Sequence, residues 1–115
     1  MLQYAPSKPP KGAARGEEER MTIKETNVYA KWFASLRDDD TKARIDRRIK
    51  RAARGVYGDV KSVGEGVNEL RFHFGPGYRV YFKEIGGVLF LLLAGGDKST
   101  QRRDIDRAKE IARQF

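Results

Sequence analysis

Arg71, His73, Arg79, Tyr81 and Lys83 are the side chains best suited to handle a phosphate, and they recur at alternate positions of two short segments. A guanidinium fork matches phosphate geometry and stays charged. A histidine titrates near neutral pH. The segments run Glu69-Leu70-Arg71-Phe72-His73-Phe74 and Tyr78-Arg79-Val80-Tyr81-Phe82-Lys83, with Gly75-Pro76-Gly77 between them. Period-two alternation predicts strands with one buried face, and Gly-Pro-Gly predicts a turn. If Phe74 faces Tyr78, then His73 faces Arg79, Arg71 faces Tyr81 and Glu69 faces Lys83. Leu70, Phe72 and Phe74 then meet Phe82, Val80 and Tyr78 on a core face. The opposite face becomes a patch of Arg, Arg, His, Tyr and Lys fit to hold a phosphodiester.

Each member of the patch also has a plainer role. Arg71 and Arg79 could be solvated strand residues paired with Glu69 or another carboxylate. Tyr81 could be the strand-forming tyrosine of a half-buried edge, and His73 incidental near a turn. Glu69 opposite Lys83 reads as a structural cross-strand ion pair. Charged residues beside aromatics in mid-sheet favour a ligand for the two arginines.

The chain has 115 residues, enough for one domain with a modest core. Its formal net charge is +8 and 35% of its residues are charged. That balance favours a polyanionic partner, nucleic acid or an acidic protein, and also suits plain solubility. The absence of cysteine excludes disulfides and thiolate metal sites, and a single histidine argues against a histidine-rich zinc site. No metal or cofactor is expected. The longest apolar run, Val88 to Ala94, is too short to span a bilayer. The N-terminus shows no apolar signal region, so the expected compartment is the cytoplasm.

Residues 1–20 hold three of the four prolines and the run Glu17-Glu18-Glu19. They read as a disordered extension, leaving 21–115 as the folded domain, with 20 basic against 13 acidic residues. A short strand is expected over Thr22 to Thr26. Tyr29, Trp32, Phe33 and Leu36 predict an amphipathic helix capped by Thr26 or Asn27. Asp38-Asp39-Asp40 opens a second helix, with Ile45, Ile49, Ala52 and Val56 as its stripe and Gly55 and Gly58 at its end. Lys42, Arg44, Arg47, Arg48, Lys50, Arg51 and Arg54 line its other faces. A glycine-rich loop containing Lys61 spans Tyr57 to Gly66. Strands follow at Val67–Phe74, Tyr78–Ile85 and Val88–Ala94, the last two joined by a two-residue turn at Gly86-Gly87. That register sets Leu89, Leu91 and Leu93 on the core face with Phe82 and Val80. It sets Phe90, Leu92 and Ala94 on the patch face, and a C-terminal helix is expected to cover them. Ser99 or Thr100 caps this helix, whose stripe is Ile105, Ala108, Ala112 and Phe115. The expected order is β-α-α-β-β-β-α, an α+β fold with a small antiparallel sheet.

From Met21 onward the chain resembles the RelE/ParE superfamily of bacterial toxins, in its HigB-like, addiction-module killer protein branch. The likeness is carried by Trp32 and Leu36, Gly64-Glu65-Gly66, Glu69-Leu70-Arg71, the run Gly75 to Phe82, and Gly95 to Gln101 with Asp104-Ile105 and Ala108. The resemblance implies a RelE-like fold and a ribosome-dependent mRNA endoribonuclease. It also implies a helix-turn-helix antitoxin as partner. By position, Arg71 and Arg79 match the strand arginines that handle the scissile phosphate, and Lys98 matches a basic residue after the last strand. The ParE side of the superfamily poisons DNA gyrase without cutting RNA, and fold alone does not separate the two activities.

RNA cleavage without metal needs a base for the 2′-hydroxyl, cations for the pentacoordinate phosphate and an acid for the leaving oxygen. The candidates for catalysis are Arg71, Arg79, Tyr81 and His73. Those for RNA binding are Lys83, Lys98, Lys61, Arg47 and Arg51. Lys98 precedes a helix N-terminus, where amides and a cation attract phosphate, though it could be an ordinary loop lysine. The basic second helix could bind ribosomal RNA or be a solvated face. His73 opposite Arg79 would suit a base. The sequence offers no convincing carboxylate–histidine pair, so positioning by the ribosome is expected to supply part of the chemistry.

Overall fold

The computed structural model describes residues 20–115, and the expectation of a disordered extension over 1–20 lies outside them, Arg20 apart. Two helices on one face and one on the other enclose a five-stranded sheet. The elements are β1 (Thr22–Glu25), α1 (Asn27–Ser35), α2 (Asp39–Ala52), β2 (Val60–Gly64), β3 (Val67–Arg71), β4 (Tyr78–Ile85), β5 (Leu89–Asp97) and α3 (Gln101–Ala112). A 3₁₀ turn, Lys98–Thr100, joins the last two. The strand order is β1-β5-β4-β3-β2, with β1 parallel to β5 and the other neighbours antiparallel. The fold is α+β, as expected, but the sheet is mixed and not antiparallel throughout, because β1 comes in beside β5 running the same way.

The caps follow the side chains. Thr26 Oγ1 accepts from the Tyr29 amide at 3.1 Å and starts α1. Asp38 accepts from the Asp40 amide at 3.2 Å and the Thr41 hydroxyl at 2.8 Å and starts α2. At the last helix Asp97, not Ser99 or Thr100, is the side-chain cap: it accepts from the Ser99 amide at 2.8 Å and opens the 3₁₀ turn that leads into α3. Helix α2 stops at Ala52, so Val56 leaves its stripe and is 53% exposed. Phe115 likewise lies beyond α3 and is 60% exposed.

Three further features of the sheet differ from expectation. The segment read as a loop contains β2, paired with β3 from Val60 opposite Leu70 to Gly64 opposite Val67. Two of the glycines that suggest a loop, Gly64 and Gly66, belong to the turn closing this hairpin. Second, β3 ends at Arg71, because the Gly77 amide donates to Phe74 O at 3.1 Å and curls 74–77 into a tight turn. The ladder therefore slides by two. Glu69 faces Tyr81 and Arg71 faces Arg79, while neither Phe74–Tyr78 nor Glu69–Lys83 pairs. A slide of two keeps every side chain on its expected face.

Third, β5 is turned over. Gly86 and Gly87 both take positive φ, 61° and 71°, a conformation costing little only at glycine. The ladder nevertheless resumes at Ile85 opposite Leu89, so three residues separate the strands instead of two. One extra residue moves the whole side-chain set across the sheet. Phe90 and Leu92 join Val80 and Phe82 under α1 and α2. Leu89, Leu91 and Leu93 join Tyr81 under α3, reversing the expected placement. A bulge between Tyr81 and Phe82 then puts Leu93 and Ala94 on the same side. Helix α3 covers the sheet face opposite α1 and α2, as expected, burying Ala108 and Ala112.

Two glycines of β5 let both layers close. A Cβ on Gly95 would lie 2.1 Å from Trp32 Cε3, and one on Gly96 would lie 1.9 Å from Asp104 Oδ2. Gly95→Ala and Gly96→Ala should each lower stability by about 1–3 kcal/mol, the usual cost of overpacking. Thermal unfolding followed by circular dichroism would read this as a fall of several degrees. An unchanged melting temperature for Gly95→Ala would mean that Trp32 does not seat against the strand.

Candidate nucleic-acid interface at the sheet end

The sequence placed the polar residues of β3 and β4 on one face, and α3 divides that face in two. Its inner part is sealed. Glu69 and Tyr81 have no exposed surface, and Arg79 is 5% exposed. The Tyr81 hydroxyl donates to Glu69 Oε2 at 2.9 Å, and Gln101 Nε2 of α3 donates to the same oxygen at 2.7 Å. Arg79 Nε lies 3.9 Å from it. Burial first, then the Glu69 carboxylate, push the Tyr81 phenol far above its ordinary range. Tyr81 is therefore a neutral donor locked under a helix, where no base can stack on it. Its neighbour across the ladder is Glu69, not Arg71.

The outer part stays open. Arg71 faces Arg79 across the ladder, and its side chain is 34% exposed. His73 lies beyond the ladder rather than opposite Arg79, and its ring meets Asp59: Nε2 is 2.5 Å from Asp59 Oδ2. Arg71 Nε lies 3.8 Å from the same oxygen. Asp59 is carried here because the residue before β2 pairs with the end of β3, the Arg71 amide donating to Asp59 O at 3.0 Å. The His73 hydrogen bond, aided by the charges of Arg71, His73 and Arg48, holds the Asp59 carboxyl below its ordinary range against a small desolvation. This carboxylate–imidazole pair is absent from the sequence reading, since fourteen positions and a hairpin separate its members. Arg79 Nη1 donates to Gly77 O at 3.2 Å and Tyr78 O at 3.1 Å, which aims it at the 72–77 loop. Lys98 reaches the same loop: a Cβ on Gly77 would lie 3.3 Å from Lys98 Cβ and 3.6 Å from Arg79 Nη1.

Helix α2 supplies the adjoining wall. Arg44, Arg47, Arg48 and Arg51 line a pocket of about 310 Å³ with Phe72, His73 and Phe74. The Arg44 guanidinium lies 3.6 Å from the Phe74 ring centroid, and that of Arg48 lies 4.7 Å from Phe72. Arg48 also donates to Arg71 O at 2.6 Å, Asp59 O at 2.8 Å and Tyr57 O at 3.1 Å. It is a strut that fixes the loop before β2, and so Asp59. Its position on a basic helix gave no hint of this.

Arg47 and Arg51 thus adjoin the open end, and Lys98 borders it. Lys83 does not: its Nζ donates to Ala112 O and Phe115 O at 3.4 Å, capping the C-terminal end of α3. Lys61 is exposed on β2, the edge strand, where it stands opposite Glu69 in the ladder and not at the open end. Among the described residues no cluster of His, Asp and Glu could hold a metal ion, and no helix is long and apolar enough to cross a membrane. The assembled group can take a proton at an imidazole and stabilise an anion with guanidinium groups.

The His73–Asp59 contact has a direct readout. Asp59 is depressed, so the stability it lends is present above the ordinary carboxylate value and is lost as pH falls through the lowered one. His73→Ala should raise the Asp59 titration midpoint, followed by carboxyl-carbon NMR. An unmoved midpoint would show that His73 does not hold Asp59.

No family model matches the chain, and no solved structure matches it. It is 50% identical over 93 residues to a protein of Haemophilus influenzae whose name is given as "Uncharacterized protein". The match covers 81% of this chain and 94% of that protein. At that identity and coverage, the chain belongs to the same family as this Haemophilus influenzae protein.

Proposed function

We propose that the chain is the toxin of a type II toxin–antitoxin pair, an endoribonuclease that cuts mRNA at the ribosome, with a helix-turn-helix antitoxin as its partner. What carries the reading is the placement of Arg71 directly opposite Arg79. Like charges directly opposed on neighbouring strands are destabilising. Glu69 and Asp59 offset them only at 3.8–3.9 Å, and Nε of each arginine has no hydrogen-bond partner. An anion at this end, beside Lys98 and the exposed part of Arg71, would offset the opposed charges.

In this reading Arg71 and Lys98 hold the scissile phosphate, and Arg79, 5% exposed, adds its charge from behind Arg71. Nε2 of His73 faces Asp59, which leaves Nδ1 to take the proton from the 2′-hydroxyl. The 2′-oxygen attacks phosphorus, the bond to the 5′-oxygen breaks, and the products are a cyclic phosphate and a 5′-hydroxyl protonated from water. Asp59 orients the ring and stabilises the imidazolium. Tyr81 takes no part in this scheme, because it is sealed beneath α3. The expectation that no carboxylate–histidine pair exists is replaced by His73–Asp59, so the case for the ribosome rests on exposure. The His73 side chain is 69% exposed, and the pocket it lines is open on that side, so it does not by itself hold a flexible strand in line for attack. A partner that fixes the strand supplies that constraint.

Purified protein should cut mRNA on programmed ribosomes and leave naked mRNA largely intact. Arg71→Ala should lower that rate by about 10²–10³, the usual loss for one charge-stabilising donor, and Asp59→Asn should slow it without unfolding the protein. Equal cleavage of free and ribosome-bound mRNA would remove the ribosome from the proposal. A folded Arg71→Ala variant as toxic as the parent would remove the phosphate site. Cleavage of neither RNA, with growth arrest in cells, would favour a gyrase poison of ParE type.

A further inference from the structure

We infer that the pocket between α2 and residues 72–74 binds single-stranded RNA, seating the phosphates that flank the one at Arg71 and Lys98. The inference deepens the proposed function by assigning this wall to the substrate strand instead of the ribosome. Its binding test stands without cleavage.

Arg44, Arg47, Arg48 and Arg51 recur at i, i+3, i+4 and i+7, which puts all four guanidinium groups on one side of α2. Like charges four apart on a helix destabilise it, so the arrangement costs stability unless an anion neutralises it. The helix's own acidic partner lies elsewhere, in the Lys50–Asp46 pair at 2.8 Å. Arg44, Arg47 and Arg51 make no ion pair with the described residues.

The pocket is also built in advance. Arg48 is tied to backbone carbonyls, and Arg44 is held over Phe74. Rigid guanidinium planes beside aromatic rings suit a strand whose bases are free to stack. A volume of about 310 Å³ suits one nucleotide and not a duplex, whose recognition spreads across a broad minor groove. His73 belongs both to this wall and to the Asp59 pair. A strand seated here therefore runs past the candidate base.

The probe is a short, unstructured, fluorescently labelled 2′-O-methyl RNA, which has no free 2′-hydroxyl, read by anisotropy over a range of salt. The full chain should bind it. The triple variant Arg44→Gln, Arg47→Gln, Arg51→Gln keeps good helix formers and leaves Arg48 alone. It should bind roughly tenfold more weakly or worse, and its salt slope should fall by about 2, near 0.7 for each lost phosphate contact on a single strand. A control triple, Lys24→Gln, Arg102→Gln, Arg107→Gln, removes the same charge from exposed positions elsewhere and should bind as the parent does. Unchanged binding by the first triple, or equal loss in the control, would overturn the inference. So would tighter binding of duplex RNA or of an acidic peptide that displaces the probe. Probe binding that depends on the three arginines, in a protein that cuts no RNA, would uphold the site and discard the proposed nuclease. Cleavage by a protein whose first triple binds normally would do the reverse.

Discussion

A carboxylate sealed inside the sheet is the constraint on which the rest of this structure depends. Glu69 has no exposed surface, and three groups from two elements answer its Oε2: the Tyr81 hydroxyl and, at longer range, the Arg79 guanidinium from β4, and the Gln101 amide from α3. Removing one partner from a buried ion pair costs about 3–5 kcal/mol, a large share of the stability of a domain this small. The cluster therefore fixes where α3 begins, keeps Tyr81 neutral, and holds Arg79 so that its guanidinium points toward the loop end. Polarity at the open end is organised from the closed one.

Period-two patterning correctly assigned the faces of β3 and β4, since that property survives a register slide of two. It could not fix the register itself. The Gly-Pro-Gly turn closes on Phe74, and only the backbone hydrogen bond from Gly77 reveals that His73 and Phe74 have left the ladder. Strand β5 failed for a related reason. Every residue from Val88 to Ala94 is apolar, so composition carries no alternation to choose a face, and the single residue added after Gly86-Gly87 decided it. Strand β2 was hidden by the glycines that end it. Helices fared better, because Thr26 and Asp38 act through atoms two or three residues away, and such short-range chemistry is visible in the sequence.

The same distinction governs the candidate site. Arg71, Arg79, His73 and Lys98 lie near one another because they flank one turn or one strand end. Asp59 and Arg48 escaped notice because their roles arise from tertiary closure: Asp59 reaches His73 across the β2–β3 pairing, and Arg48 reaches three carbonyls from another element. Tyr81 was overvalued for the opposite reason. Its position in the alternation was right, but α3 lies over it, and nothing within the strand says which part of a face a distant helix will cover.

The parallel pairing of β1 with β5 carries a consequence for the order of assembly. The first strand of the domain has no neighbour except one that begins at Leu89. Until that segment leaves the ribosome, the backbone groups of β1 remain hydrated, and the β2–β3–β4 meander has one face without α3. Glu69 waits for Gln101 in the same way. Closing such a distant contact demands chain entropy that no local hairpin repays. The nascent chain thus reaches its working shape only after β5 and α3 have emerged, so the cationic end and the helix that secures it mature together.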